Sequence, residues 1–484
     1  MSRLQQKRVR FAAIAVVLTT IVLFSLWNTP KDQFPVTWTS SGPGPWSEGH
    51  RKLEGSKPLG GPVSMTSETK ESPTKLPTQV DLHNVDDTGP GSLTSSTPTP
   101  TPKLKKDCMS YEHLQQLKQD PVSEGKRKFP YSRPEPECRT FQLPALEKLL
   151  ERMKGVIKDP DLFRLFENSY PNTLDTTIKW RGYATKKDPD SDIETPTDEE
   201  LAFVITGDID AMWLRDSASQ IYSYLPLLEA STDPDSLASL WRGMINSHAR
   251  YIIISPYCHS FQPPTESGVK PTHNGAYSLN HPVPAYNPQL VFDCKWELDS
   301  LASFLQISTA YFDKTKDLQF FQKYNWIQAV KAAVDAAGAM RLGTYAPDGK
   351  VEKSAWTFTG YTNRGSETLT NDGLGNPTKG NGMVRTAFRP SDDACIYQLL
   401  VPANMMFAKY LEEASLIMAQ LSSAEAKNLT TVMRDFAFGI RKGIDRDAIV
   451  HHRDFGDIFA YEIDGYGGEG RIWGQGRGGQ WRRL

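Results

Sequence analysis

The sequence predicts an all-α domain of consecutive helical hairpins closing into an α/α toroid. Three observations carry that expectation. Beyond Cys138, apolar residues recur at three- and four-residue intervals through most of the chain. Long polar loops separate the periodic stretches, at 257–293, 341–389 and 445–461. Strand signals are few and short, Phe203-Val-Ile205 and Trp356-Thr-Phe358. No sequence unit repeats, which disfavours a regular solenoid.

Taken in order, the chain opens with Arg3, Lys7, Arg8 and Arg10, followed by an uncharged apolar run from Phe11 to Trp27. That run is near the lower limit for a membrane span. The basic flank places residues 1–10 as a cytosolic tail and 11–27 as a transmembrane signal anchor, with everything after it lumenal. Ser25-Leu-Trp-Asn-Thr-Pro30 offers no small-x-small cleavage site. Residues 28–137 are rich in Pro, Ser and Thr, including Ser92-Leu-Thr-Ser-Ser-Thr-Pro-Thr-Pro-Thr-Pro102. Such composition cannot bury enough apolar surface to offset its ordering entropy, so a disordered stalk is expected. Anchor, stalk and globular domain together are the layout of type II enzymes in Golgi or other secretory-pathway membranes. Asn428-Leu-Thr430, an N-glycosylation sequon, fits a lumenal chain.

The expected helices follow. Leu143, Leu146, Leu149, Leu150, Met153 and Ile157 form one buried stripe. Asp159-Pro-Asp161 starts a second helix, with proline in its first turn. Further helices are expected over Ser217–Leu228, Asp235–Ile254, Trp296–Phe312 and Tyr324–Met340. Two more are expected over Ala394–Leu421, kinked at Pro402, and Ala424–Ile444.

Charge is nearly balanced, 55 Lys+Arg against 57 Asp+Glu, so no nucleic-acid partner is expected. The five cysteines are far apart and form no Cys-x-x-Cys. Zinc-finger and thioredoxin readings therefore lack support. In a lumenal protein the odd count permits two bridges and one thiol, with the pairing unreadable. There is no Gly-rich phosphate loop, His-Glu-x-x-His or Gly-x-Ser-x-Gly, so phosphoryl transfer and serine hydrolysis are also unsupported.

Three segments carry chemistry. The first, Thr206-Gly-Asp-Ile-Asp-Ala-Met-Trp-Leu-Arg-Asp-Ser217, packs Asp208, Asp210, Asp216, Arg215 and Trp213 between apolar stretches. Carboxylates and a guanidinium can bind sugar hydroxyls while an indole stacks on a sugar face; a buried ion-pair network is the structural alternative. The second, Asp293-Cys-Lys-Trp-Glu-Leu-Asp-Ser300, contributes Lys295, Glu297 and Asp299, which also read as an acidic helix start. The third, Ala387-Phe-Arg-Pro-Ser-Asp-Asp-Ala394, places Arg389 before the adjacent Asp392 and Asp393 at an expected helix start. One of the pair can cap the helix while the other points into a cleft. If kept protonated, the second could act as a general acid. His273-Asn274 and Asn280-His281 can hydrogen-bond hydroxyls or lie in a solvated loop.

Together these segments, followed by Val401-Pro-Ala-Asn404, resemble glycoside hydrolase family 125 in order and context over roughly residues 141–465. The resemblance implies an (α/α)6 barrel and metal-independent, inverting exo-α-1,6-mannosidase activity on a mannose-containing glycan, with no cofactor. It implies a general acid in the Ser-Asp-Asp motif, carried to Asp393 with Asp392 as the alternative. It maps Asp208, Asp210, Trp213, Arg215, Asp216, Lys295, Glu297, Asp299 and Arg389 to substrate binding.

After Gly465 the resemblance gives way to a Gly/Arg/Trp-rich tail, 466–484, which reads as a translated intron or shifted frame. The family's His-Glu-Ser-type segment, expected to hold the general base, has no counterpart. The domain, 138–465, is therefore expected to be an incomplete barrel with uncertain activity. Two other readings stay open. Asp208-Ile-Asp210 with a type II anchor also describes a glycosyltransferase using a divalent cation. A mannan-binding pseudoenzyme would follow from the missing base.

Overall fold

The computed structural model describes residues 108–470, apart from positions 115, 189, 190 and 192. The proposed anchor at 11–27, residues 28–107 of the expected stalk and 471–484 of the tail lie outside the described residues. Residues 108–137, expected as disordered stalk, instead pack on the domain through the Cys108–Cys138 disulfide and buried Arg133, which pairs with Asp175 and Glu147. Among the described residues no helix is long and apolar enough to cross a membrane.

Among the described residues, eight helices of nine or more residues organise the domain: α1 Pro144–Val156, α2 Pro160–Ser169, α3 Leu214–Tyr222, α4 Leu237–Ile254, α5 Leu298–Thr315, α6 Trp326–Ala339, α7 Val401–Met418 and α8 Ala424–Asp447. Their starts follow local chemistry. Asp159 caps α2 by accepting from the Asp161 and Leu162 amides, and Pro160 fills the first position, where no backbone donor is needed. Ser236 caps α4 and Ser423 caps α8 in the same way.

From α3 onward the helices form two layers. In the inner layer α3 packs on α5 and α5 on α7; in the outer layer α4 packs on α6 and α6 on α8. Each inner helix also touches its outer successor, pairing α3 with α4, α5 with α6 and α7 with α8. This is the hairpin-by-hairpin arrangement of an α/α toroid. Large side chains such as Trp241, Trp296, Trp326 and Phe304 are fully buried in one core. The inner helices α3 and α5 meet at their N-terminal ends, where the first two acidic motifs lie.

The structure corrects the all-helical expectation in three places. A long antiparallel hairpin, β1 Ile178–Lys187 with β2 Glu194–Val204, packs on α4. Its alternation is interrupted by Pro196, a residue that a sheet tolerates only at an edge. The hairpin approaches α4 so closely that a Cβ on Gly243 would lie 2.9 Å from the Leu201 carbonyl carbon. Second, α7 begins at Val401 rather than Ala394. Leu399–Leu400 instead pairs with Glu462–Ile463, which pairs in turn with Glu469–Gly470. Pro402 consequently sits in the first turn of α7 and kinks nothing. Third, a small hairpin, Ile449–His452 with Gly456–Phe459, occupies part of the loop expected after α8.

Two disulfides, Cys108–Cys138 and Cys258–Cys294, leave Cys395 as a buried thiol.

Candidate functional site

The site forms where the N-termini of α3 and α5 meet. Arg215 lies in the first turn of α3, and Glu297 and Asp299 lie at the start of α5. The Arg215 Nη1 donates to Glu297 Oε2 at 2.5 Å and to Asp299 Oδ2 at 3.3 Å, and its Nη2 is 3.2 Å from Asp216 Oδ2. Glu297 and Asp299 are buried.

The third motif is drawn to the same point by backbone contacts. The Ala387 and Phe388 amides donate to the Trp296 carbonyl at 3.2 Å, and the Leu298 amide donates to Thr386 Oγ1 at 3.0 Å. Residues 389–393 form a tight loop, not the expected helix start. The Asp392 amide donates to the Arg389 carbonyl, the Arg389 amide donates to the Asp393 carbonyl, and Phe388 bridges Ala394. Asp392 adopts φ 65°, the left-handed region that Asp tolerates better than most residues. That loop turns the two aspartates apart.

Asp392 joins the cluster. Its Oδ1 is 3.2 Å from His259 Nε2 and 3.6 Å from Lys295 Nζ, and the Lys295 ammonium also donates to the Asp392 carbonyl at 3.3 Å. Asp393 instead accepts from the Ser391 hydroxyl at 3.1 Å near the surface. Sequence reasoning missed His259, which is fully buried just before the short strand Ser260–Phe261. That strand pairs with Met212–Trp213 on one side and Val291–Asp293 on the other, so one small sheet joins the first two motifs. The Lys295 amide donates to His259 Nδ1 at 3.0 Å. The only sequence hint was that His259 and Lys295 each follow a cysteine, Cys258 and Cys294.

The other expected site residues divide. Trp213 is half-buried, with its ring edge toward His259 at 6.1 Å and tilted against Phe292 at 5.3 Å. Asp208 and Asp210 stand apart from the Arg215 cluster on the wall of a cavity of about 950 Å³, which Phe292, His273 and Asn274 also line. Asp210 is paired with Lys179 at 2.8 Å, and Asp208 faces the Thr206 hydroxyl at 3.4 Å. The salt bridge makes Asp210 a poor partner for the cation that a glycosyltransferase would need. Asn280 and His281 lie in a short strand paired with Thr357–Gly360. Arg389 is turned away, donating to buried Glu462 Oε1 at 2.6 Å. Its guanidinium therefore braces the loop from behind.

Electrostatics separate the carboxyls. Burial raises the Glu297 pKa to about 8; His259 and Arg215 pull it down, while Asp299 and Asp392 push it up. The short Arg215 contact favours the ionised form, but burial prevails. Asp299 is also raised, chiefly by burial. At Asp392 burial acts in the same upward sense, but His259, Lys295 and Arg215 outweigh it and hold the carboxyl well below the usual range. Burial disfavours the charged form of His259, while Glu297, Asp392 and Asp293 favour it and raise its pKa. The amide aimed at Nδ1 opposes that charge, since both nitrogens of an imidazolium are donors. One ligand-type atom each of His259, Glu297 and Asp392 lies within 4.8 Å of the others.

Comparison with known proteins places this geometry. Residues 159–472 match the family model described as metal-independent alpha-mannosidase (GH125). The chain is 39% identical over 364 residues to the meiotically up-regulated gene 157 protein of Schizosaccharomyces pombe, covering 75% of this chain and 67% of that protein. It also resembles a solved Streptococcus pneumoniae metal-independent alpha mannosidase, in a non-productive complex with α-1,6-mannobiose. That likeness has a TM-score of 0.54 and 26% identity, over 68% of this chain and 69% of the other. With its two layers of helices and the matched motifs gathered at one end, the chain belongs to glycoside hydrolase family 125, the metal-independent α-mannosidases.

Proposed function

We propose that this α-mannosidase removes terminal mannose from a glycan by an exo-α-1,6-mannosidase-type reaction with inversion, and that Asp392 delivers the proton to the glycosidic oxygen. One observation carries the assignment. Glu297 and Asp392 lie within 4.8 Å of each other, with opposite preferences for the proton. Carboxyls this close share protons as a pair. Near neutrality the proton rests on buried Glu297, and Asp392, on the open side, passes it to the leaving oxygen. Arg215, Asp216, Asp299 and Lys295 supply charged partners for mannose hydroxyls, and Trp213 an apolar face.

The Glu297–Asp392 pair is too close to hold water between its members, since inverting enzymes separate acid and base by about 6.5–9.5 Å. A third carboxylate must activate the water. Loss of either the acid or that base is expected to slow turnover by on the order of 10²–10⁴. The assay is release of mannose from α-1,6-mannobiose, with the anomer followed by NMR. First-formed α-mannose would overturn inversion.

We also propose a type II placement in a secretory-pathway membrane, with the domain lumenal. The apolar run at 11–27 supports it, and so do the two disulfides, which persist in oxidising compartments. Protease protection of the domain in sealed microsomes tests it; cleavage without detergent would count against it.

A further inference from the structure

His259 is fully buried, belongs to none of the three motifs, and touches two groups of the site with its two ring nitrogens. We propose that His259 is a positioning residue: the Lys295 backbone amide fixes it in the tautomer with its proton on Nε2, which aims the Asp392 carboxylate into the cleft and denies the His259–Glu297–Asp392 trio to divalent cations. The inference rests on the reading above only in taking Asp392 as the reacting carboxyl.

The tautomer follows from the contact. A neutral imidazole has one donor and one acceptor nitrogen. Nδ1 accepts from the Lys295 amide at 3.0 Å, so the proton sits on Nε2, facing Asp392 Oδ1 at 3.2 Å. The ring has little freedom to turn. Cys258 and Cys294 are bonded to each other, and they immediately precede His259 and Lys295. The strand pairing of Ser260 with Asp293 and the Leu214 amide donating to the His259 carbonyl at 3.1 Å hold the same segment. Lys295 thus contributes twice, through an amide that sets the ring and an ammonium that reaches the carboxylate.

The same contact bears on metal binding. By atom type the trio is a plausible cation site: one imidazole and two carboxylates, with Glu297 Oε1 buried without a hydrogen-bond partner. A metal-bound imidazole offers a bare nitrogen while its other N–H donates to an acceptor. Here the group beside Nδ1 is itself a donor. Baring Nε2 would move the proton to Nδ1, against the amide hydrogen. Lys295 and Arg215 add positive charge at the same point.

The test uses the full chain and two substitutions that separate the ring's contacts. His259→Asn keeps an acceptor near Nδ1 for the Lys295 amide but loses the donor to Asp392. His259→Gln keeps the donor and loses the acceptor. With ¹⁵N-histidine, NMR should show a neutral Nε2–H ring for the signal lost in His259→Asn, and calorimetry should show no His259-dependent Zn²⁺ binding. On α-1,6-mannobiose, kcat should fall about tenfold or more in His259→Asn with KM nearly unchanged, and recover in part in His259→Gln. An Nδ1–H tautomer, stoichiometric Zn²⁺ binding abolished by His259→Asn, or an unchanged kcat in that variant would each overturn the proposal. If the unmodified chain gives no turnover, the proposed hydrolysis fails, while the NMR and Zn²⁺ results still decide the role of His259.

Discussion

Arg215 Nη1 lies 2.5 Å from Glu297 Oε2, tying the first turn of one inner helix to the residue that precedes the next. The sequence separation is 82 residues, so this bond closes the site rather than a local turn. Arg215→Met leaves Glu297 and Asp299 buried without their cation. A loss of about 3–5 kcal/mol is expected, as for breaking a buried pair from one side. Urea denaturation measures it. Adding Glu297→Gln to Arg215→Met should recover part of the loss; a strictly additive double variant would mean that the two groups are not coupled.

Glu297 should make stability depend on pH in a defined direction. Its folded pKa is raised from 4.5 to about 8, so between those values the folded chain holds a proton that the unfolded chain has released. Wild-type stability should therefore fall relative to Glu297→Gln as pH rises through that window, by at most about 1.4 kcal/mol per pH unit, and level off above it. Parallel stability curves for the two proteins between pH 5 and 8 would contradict this.

The neighbouring aspartates should behave differently. Asp392→Asn is expected to lower mannose release by about 10²–10⁴ relative to the parent chain, as for loss of a general acid. Asp393→Asn loses only a contact with Ser391 near the surface and should stay within about twofold, because substitutions away from buried features change little. The comparison is best made in a family member with robust turnover if the parent rate is low.

At Gly243 a methyl group would press on the Leu201 carbonyl carbon at 2.9 Å, where β2 crosses α4. Gly243→Ala should cost about 1–3 kcal/mol through overpacking, despite the better helix propensity of alanine. Thermal melting gives the sign at once, since propensity alone predicts a stabilised protein.

Much of this was legible in the chain. Helix positions came through because each carries a wide apolar stripe, and starts such as Asp159 and Ser236 announce themselves by capping chemistry. The residues of the Arg215 cluster could be listed because short carboxylates beside an arginine are unusual on a solvated surface. Their distances could not, because they depend on how separate helices stack. The β1–β2 hairpin was hidden by its charged exposed half and by Pro196. His259 was hidden because a lone histidine has no signature until its partner, 36 residues away, is seen beside it. Asp392 and Asp393 were indistinguishable as letters.

A single torsion separates the surroundings of the two aspartates. With φ of residue 392 at 65°, the loop sets Asp392 beside His259 and Lys295 and leaves Asp393 against the Ser391 hydroxyl. The doubled aspartate is thus no spare part. The loop gives the two letters different neighbours, so under the proposed mechanism the shape of the Arg389–Asp393 turn matters as much as the carboxyl itself.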